Sequence, residues 1–225
     1  MATPGPVLAL NKLLMHKAAK PIIFLICLLP FIRLGYGAFT DGLGANPAEY
    51  LIRSNGDWTL RFICIVLAVT PLRVMAKLNG LARFRRMLGL FAYFYLVLHL
   101  LSYGWFDMGF DVPEIAKDIA KRPFILVGFA AFVLLTPLAA TSFNRAIKAM
   151  GAKRWQLLHK LVYVIAGLGL LHFFWLRAGK NNFNEVFIYA AIIGLLLAWR
   201  VWNFARSKKP QRAPVAAVQK RSASS

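Results

Sequence analysis

Acidic side chains are scarce in this sequence: 8 Asp and Glu stand against 28 Lys and Arg in 225 residues, a formal net charge of +20. Charge of either sign is thin as well, at 16% of positions, where a soluble domain carries about a quarter. That excludes an ordinary water-soluble domain. The basic residues are scattered between apolar runs instead of alternating with a polar, aromatic reading surface, which excludes a nucleic-acid binder. Cysteine is nearly absent. Cys27 and Cys64 lie inside apolar runs with no CxxC and no metal-ligand spacing, so they read as buried apolar thiols. A Gly-rich phosphate loop is missing too, and no polar stretch is left over for a nucleotide-binding domain. Any chemistry is expected to use the membrane part itself.

What is present is apolar residue, 59% of the chain, with a mean hydropathy of +0.58. Six runs are each about long enough to cross a ~30 Å hydrocarbon core: 21–39, 58–76, 87–106, 123–141, 157–176 and 183–204. The expected fold is all-α, a six-helix transmembrane bundle over 21–206, preceded by a basic segment (1–20) and followed by a disordered basic tail (207–225) that lies along anionic headgroups. The first run follows Lys12, Lys17 and Lys20 as a signal peptide would. Five further runs and the bulky Arg33-Leu34-Gly35-Tyr36 favour an uncleaved helix. Trp58, Trp105, Trp155, Trp175 and Trp202 fall at predicted ends, as interfacial anchors do.

Assigning alternate connections to opposite sides separates the charges sharply. One side takes the N-terminus, the 73–86 and 145–160 connections and the tail, with 20 Lys and Arg and no acid. The other takes 8 Lys and Arg and all 8 acids. The positive-inside bias then puts both termini in the cytoplasm.

Ionisable residues inside a bilayer are costly and mark function by default. His16 precedes the first run and reads as an interfacial residue, but His99, His159 and His172 fall within apolar helices. Neutral imidazole is the usual protein ligand of b-type haem iron. Running outward from Met87, His99 is reached after ~18 Å, and His172 lies ~22 Å outward from Leu157, at 1.5 Å per residue. The two share the outer half of the membrane and are expected to hold one haem iron from both axial sides. Interhelical hydrogen bonds are the plainer alternative. His159 lies near the inner side, where the matching position of the third run carries Arg85 or Arg86. A second, inner haem with a non-histidine ligand and a flavin or quinone pocket are both open to it. The 13-residue spacing from His159 to His172 puts them on different faces unless the helix bends, and Gly167 and Gly169 offer a place to bend.

A faint repeat supports the pairing. Thr70-Pro71-Leu72 and Thr136-Pro137-Leu138 each close a run, and the run after each carries a histidine in its outer half. Two similar helical hairpins would face each other across a cavity. Arg33 and Arg61, with Arg122 and Arg177 at the same level, are candidate partners for haem propionates, and snorkelling to headgroups is the alternative for each. Arg73, Lys77, Arg83, Arg85 and Arg86 offer a phosphate site on the inner face.

Arg85-Arg86-Met87-Leu88-Gly89-Leu90, Lys121-Arg122-Pro123-Phe124, Pro137-Leu138-Ala139-Ala140-Thr141-Ser142 and Trp155-Gln156-Leu157-Leu158-His159-Lys160-Leu161-Val162-Tyr163, with Thr70-Pro71-Leu72-Arg73 before them and His172 after, resemble the MsrQ family. These are haem-binding membrane subunits of bacterial periplasmic methionine-sulfoxide reductase systems, within the ferric-reductase-like transmembrane superfamily. The resemblance covers roughly residues 15–205. It implies a multi-pass protein of the inner membrane with b-type haem and FMN. It further implies electrons drawn from the quinone pool or a cytosolic flavin reductase, and delivered to a periplasmic molybdopterin methionine-sulfoxide reductase catalytic subunit that repairs oxidised proteins. The wider superfamily has two histidines on each of two helices; this chain keeps both on the fifth run and only His99 on the third. A ferric or oxygen reductase acting directly at the outer face is the competing enzyme reading, without the attached NADPH–FAD domain of the superfamily's oxidases. A transporter or scaffold glued by its histidines is the third.

Overall fold

The structure is a computed structural model describing residues 5–179 and 181–207; the tail beyond Ser207 and Lys180 lie outside it. Among the described residues there is no strand, and six helical segments are long and apolar enough to span a bilayer. The elements are α1 (Pro6–Met15), α2 (Ala19–Phe39), α3 (Pro47–Met75), α4 (Arg85–Ser102), α5 (Val112–Lys121), α6 (Pro123–Ala140), α7 (Asn144–Met150), α8 (Ala152–His159), α9 (Leu161–Ala178) and α10 (Asn184–Ser207). A 3-10 turn (Asn79–Phe84) leads into α4, and a π-helical turn (Tyr103–Asp107) continues it.

The second span begins at Pro47 instead of near residue 58, because Asn46 caps it: its side-chain oxygen accepts from the Glu49 N–H at 3.2 Å, and Pro47 supplies a preset first turn. Hydropathy marks only the part in the hydrocarbon. At ~1.5 Å per residue the 29-residue α3 is longer than a bilayer core is thick, so its first turns carry Glu49, Arg53 and Asp57 toward the acid-bearing end of the bundle.

Packing is most extensive between α3 and α4 and between α6 and α9, which are the two hairpins of the repeat. Their shared core is apolar and aromatic: Phe62 of α3 stacks on Phe91 and Tyr95 of α4, with centroids 5.7 and 5.3 Å apart. Three prolines open helix ladders, and at two of them another helix fills the gap. Around Pro30 of α2, the buried Tyr95 hydroxyl donates to the Cys27 carbonyl at 2.9 Å and accepts from the Phe31 N–H at 3.1 Å. Pro71 leaves the Leu67 carbonyl without its helical donor, and Arg200 of α10 donates to it at 2.7 Å.

The fifth span is interrupted, though not at Gly167 and Gly169, which lie in unbroken helix. The break falls at Lys160, between α8 and α9, and His159 and His172, on either side of it, line different cavities. At the inner end α1 packs on the 3-10 turn, where Asn11 accepts from the Gly80 N–H and donates to the Lys77 carbonyl. Arg83 donates to the carbonyls of Leu14 and His16.

Candidate haem site

His99 of α4 and His172 of α9 meet between the hairpins, ring centroids 6.1 Å apart and ring planes at 77°. Each is fixed by the helix that precedes it in its own hairpin. His99 Nδ1 lies 2.8 Å from the Ile52 carbonyl of α3, and His172 Nδ1 lies 2.6 Å from the Phe124 carbonyl of α6. A carbonyl only accepts, so Nδ1 carries the proton in both rings and Nε2 keeps its lone pair. One turn beyond each carbonyl is a glycine against which the ring packs. A Cβ at Gly56 would lie 3.2 Å from the His99 ring, and one at Gly128 would lie 2.8 Å from His172 Nδ1. The carbonyls (52 and 124) and the glycines (56 and 128) recur at an offset of 72 residues, one less than the 73 between His99 and His172, so each hairpin repeats the same arrangement of histidine, carbonyl and glycine.

Both rings line a cavity of about 470 Å³ toward the end of the bundle that the charge division assigns to the outside, with apolar walls that include Leu60, Ile63, Leu96, Phe129 and Ile165. Its mouth is charged: Glu49, Arg53, Asp57, Asp107, Arg122 and Arg177 line it. Burial pushes the Asp107 carboxyl above the usual range, an effect that Arg122 partly offsets. Two of the expected propionate partners are elsewhere. Arg33 is exposed on α2 and does not line this cavity. Arg61 donates from Nε to the Tyr189 hydroxyl at 3.2 Å and lies over Trp58, also outside the lining. Helical rise gives the level of an arginine, not its azimuth.

His159 faces a second, inner cavity of about 1190 Å³. Lys20, Arg83, Arg85, Arg86, Lys160 and Arg200 line it with no acid among the lining residues, and Arg86 also donates to Asn144 at 2.7 Å. His159 Nδ1 is 3.0 Å from the Trp155 carbonyl, which sets the same tautomer as in the outer pair, and its Nε2 is buried with no hydrogen-bond partner. Trp155, expected as an interfacial anchor, stacks on this ring at 3.8 Å and donates to the Thr141 carbonyl. His16 differs in kind: its Nδ1 accepts from the Ala18 N–H. Ile63, a buried residue of α3, lines both cavities.

Among the described residues no group of three or more His, Cys, Asp or Glu is placed to hold a metal ion. Two imidazoles are too few for a bare ion, which takes four or more ligands. They do complete the coordination of an iron that brings its own ring of nitrogens. With metal–nitrogen bonds of about 2 Å, two imidazoles sharing one iron have ring centres roughly 6 Å apart, as His99 and His172 do.

Residues 56–170 match the family of the ferric reductase like transmembrane component. A protein of Polaromonas naphthalenivorans (strain CJ2) named protein-methionine-sulfoxide reductase heme-binding subunit MsrQ is 81% identical over 193 residues, 86% of this chain and 88% of that protein. The chain belongs to the MsrQ family. Members of the same name from Herminiimonas arsenicoxydans and Caulobacter vibrioides are 54% and 43% identical, covering 84% and 83% of the chain and 88% of each protein. No solved structure matches it. The matched segment begins at Gly56 and takes in His99, Gly128 and His159, and His172 follows it by two residues.

Proposed function

We propose that this chain is the haem-binding membrane subunit of a protein-methionine-sulfoxide reductase system, holding a b-type haem between His99 and His172. One observation carries the reading: two imidazoles on facing helices, 6.1 Å apart, each with Nδ1 committed to a backbone carbonyl and Nε2 free to bind iron. A haem held there supplies one-electron oxidation and reduction. The protein's own part is to fix both ligands, to wall the iron from water with aliphatic and aromatic side chains, and to offer Arg53, Arg122 and Arg177 to carboxylates at the mouth.

The division of charge supports cytoplasmic termini, an inner-membrane location and an outer cavity that opens to the periplasm. Electrons then enter at the inner cavity and leave at the outer one, toward a periplasmic molybdopterin methionine-sulfoxide reductase catalytic subunit. The inner cavity's cations, its stacked Trp155 and the lone pair of His159 suit FMN, a quinol head or a second haem. The family resemblance makes the donor the quinone pool or a cytosolic flavin reductase, and a cationic cavity with a stacked aromatic suits either.

Haem and flavin per chain, measured with each histidine replaced in turn, test the reading. His99→Ala and His172→Ala are expected to abolish the outer haem, and His159→Ala to spare at least part of the spectrum. Equal and complete loss from all three would refute the assignment. Reduction of ferric iron or oxygen by the isolated chain, with no transfer to a molybdoenzyme, would favour a direct reductase instead.

A further inference from the structure

At the outer mouth one buried carboxylate joins the arm that carries His99 to the arm that carries the support of His172. Asp118 of α5, 7% exposed, accepts from the Tyr103 hydroxyl at 2.6 Å and from Arg122 Nε at 2.8 Å. Tyr103 stands one turn beyond His99, on the π-helical turn that continues α4, and such turns recur where a helix is distorted for function. Arg122 is at once the C-cap of α5 and the N-cap of α6, held extended (φ −106°, ψ 103°) by the proline after it. Two residues on, Phe124 presents the carbonyl that orients His172. Tyr103 and Arg122 both line the outer cavity, but Asp118 does not.

We propose that Asp118 is a positioning residue of the haem site, holding the Arg122 guanidinium at the cavity mouth with its remaining N–H groups turned to a haem carboxylate. The inference rests on the haem reading of the outer cavity. Asp118 takes one edge of the guanidinium and balances its charge; the other edge is left for the ligand, as a planar fork of five donors permits. Removing Asp118 therefore leaves an uncompensated positive charge at the cavity mouth, and removing Arg122 an uncompensated negative one.

A redox titration of the haem-loaded full chain, followed in the Soret and α bands, tests this. Asp118→Asn keeps the shape and one oxygen to accept from Arg122, with its amide donating to a Tyr103 hydroxyl that reverses its role, but removes the negative charge. It is expected to favour the reduced haem about tenfold, a rise of ~59 mV for one electron. Arg122→Gln is expected to lower the potential by a similar amount, and the double variant to return close to the parent. A carboxylate with only a structural role would leave the potential unmoved in a folded Asp118→Asn chain, and that result overturns the proposal, as do shifts of the same sign in both single variants. Should Asp118→Asn fail to fold, Arg122→Gln decides alone, and an unlowered potential overturns the proposal. A parent chain without a Soret band removes the haem reading and this inference together; a normal parent with unmoved variants removes the inference only.

Discussion

A methyl group at Gly128 would fall 2.8 Å from Nδ1 of His172, closer than real Cβ atoms approach, and one at Gly56 would crowd the His99 ring at 3.2 Å. In each case the ring must move away from the carbonyl that sets its tautomer. Overpacking of this kind costs about 1–3 kcal/mol. Gly128→Ala is therefore expected to reduce haem content strongly and Gly56→Ala less, as haem-to-protein ratios in purified chains would show. Equal retention by both variants would mean that the rings have room the packing does not reveal. These seats were not legible in the sequence, since a glycine in an apolar helix has many uses and nothing local says which ring it faces. The histidines were legible, because a charge-poor run makes an imidazole conspicuous and a fixed rise gives its depth. For the arginines depth was insufficient: Arg33 sits in the last third of α2 and Arg61 at the middle of the longer α3, yet Arg53, Arg122 and Arg177 are the ones that reach the cavity.

Among the elements, α2 depends on α4 in a way its own sequence does not disclose. The Tyr95 hydroxyl joins the Cys27 carbonyl and the Phe31 N–H beside Pro30, two groups that an uninterrupted helix would pair directly. Tyr95→Phe leaves both short of a partner inside the bundle, at a cost of roughly 1–3 kcal/mol. Thermal unfolding in detergent should show a lower midpoint for Tyr95→Phe and a smaller drop when Pro30→Ala lets α2 close its ladder; an equal drop in both backgrounds would separate the tyrosine from the proline. The element limits were readable where hydropathy sets them and not where capping does, as at Asn46 and Pro47. The break at Lys160 was missed for a related reason, because a single lysine after a histidine carries none of the usual Gly or Pro signal.

For the whole molecule, the charge asymmetry predicts that reporters fused at either end stay on the cytoplasmic side. A C-terminal fluorescent protein should fluoresce and a C-terminal alkaline phosphatase should be inactive; the reverse would invert the electron path proposed here. The larger architecture is two hairpins, each of which completes half of the proposed iron site by itself: Ile52, Gly56 and His99 in one, Phe124, Gly128 and His172 in the other. At that level a bound cofactor is a clasp between halves. Ligand that binds only the closed form adds to stability by mass action, so stripped protein should melt earlier and be cut more readily in the α5 segment that links the two. Assembly of the membrane subunit would thus be metered by haem supply, with a chain made in haem shortage left ajar and open to proteolysis.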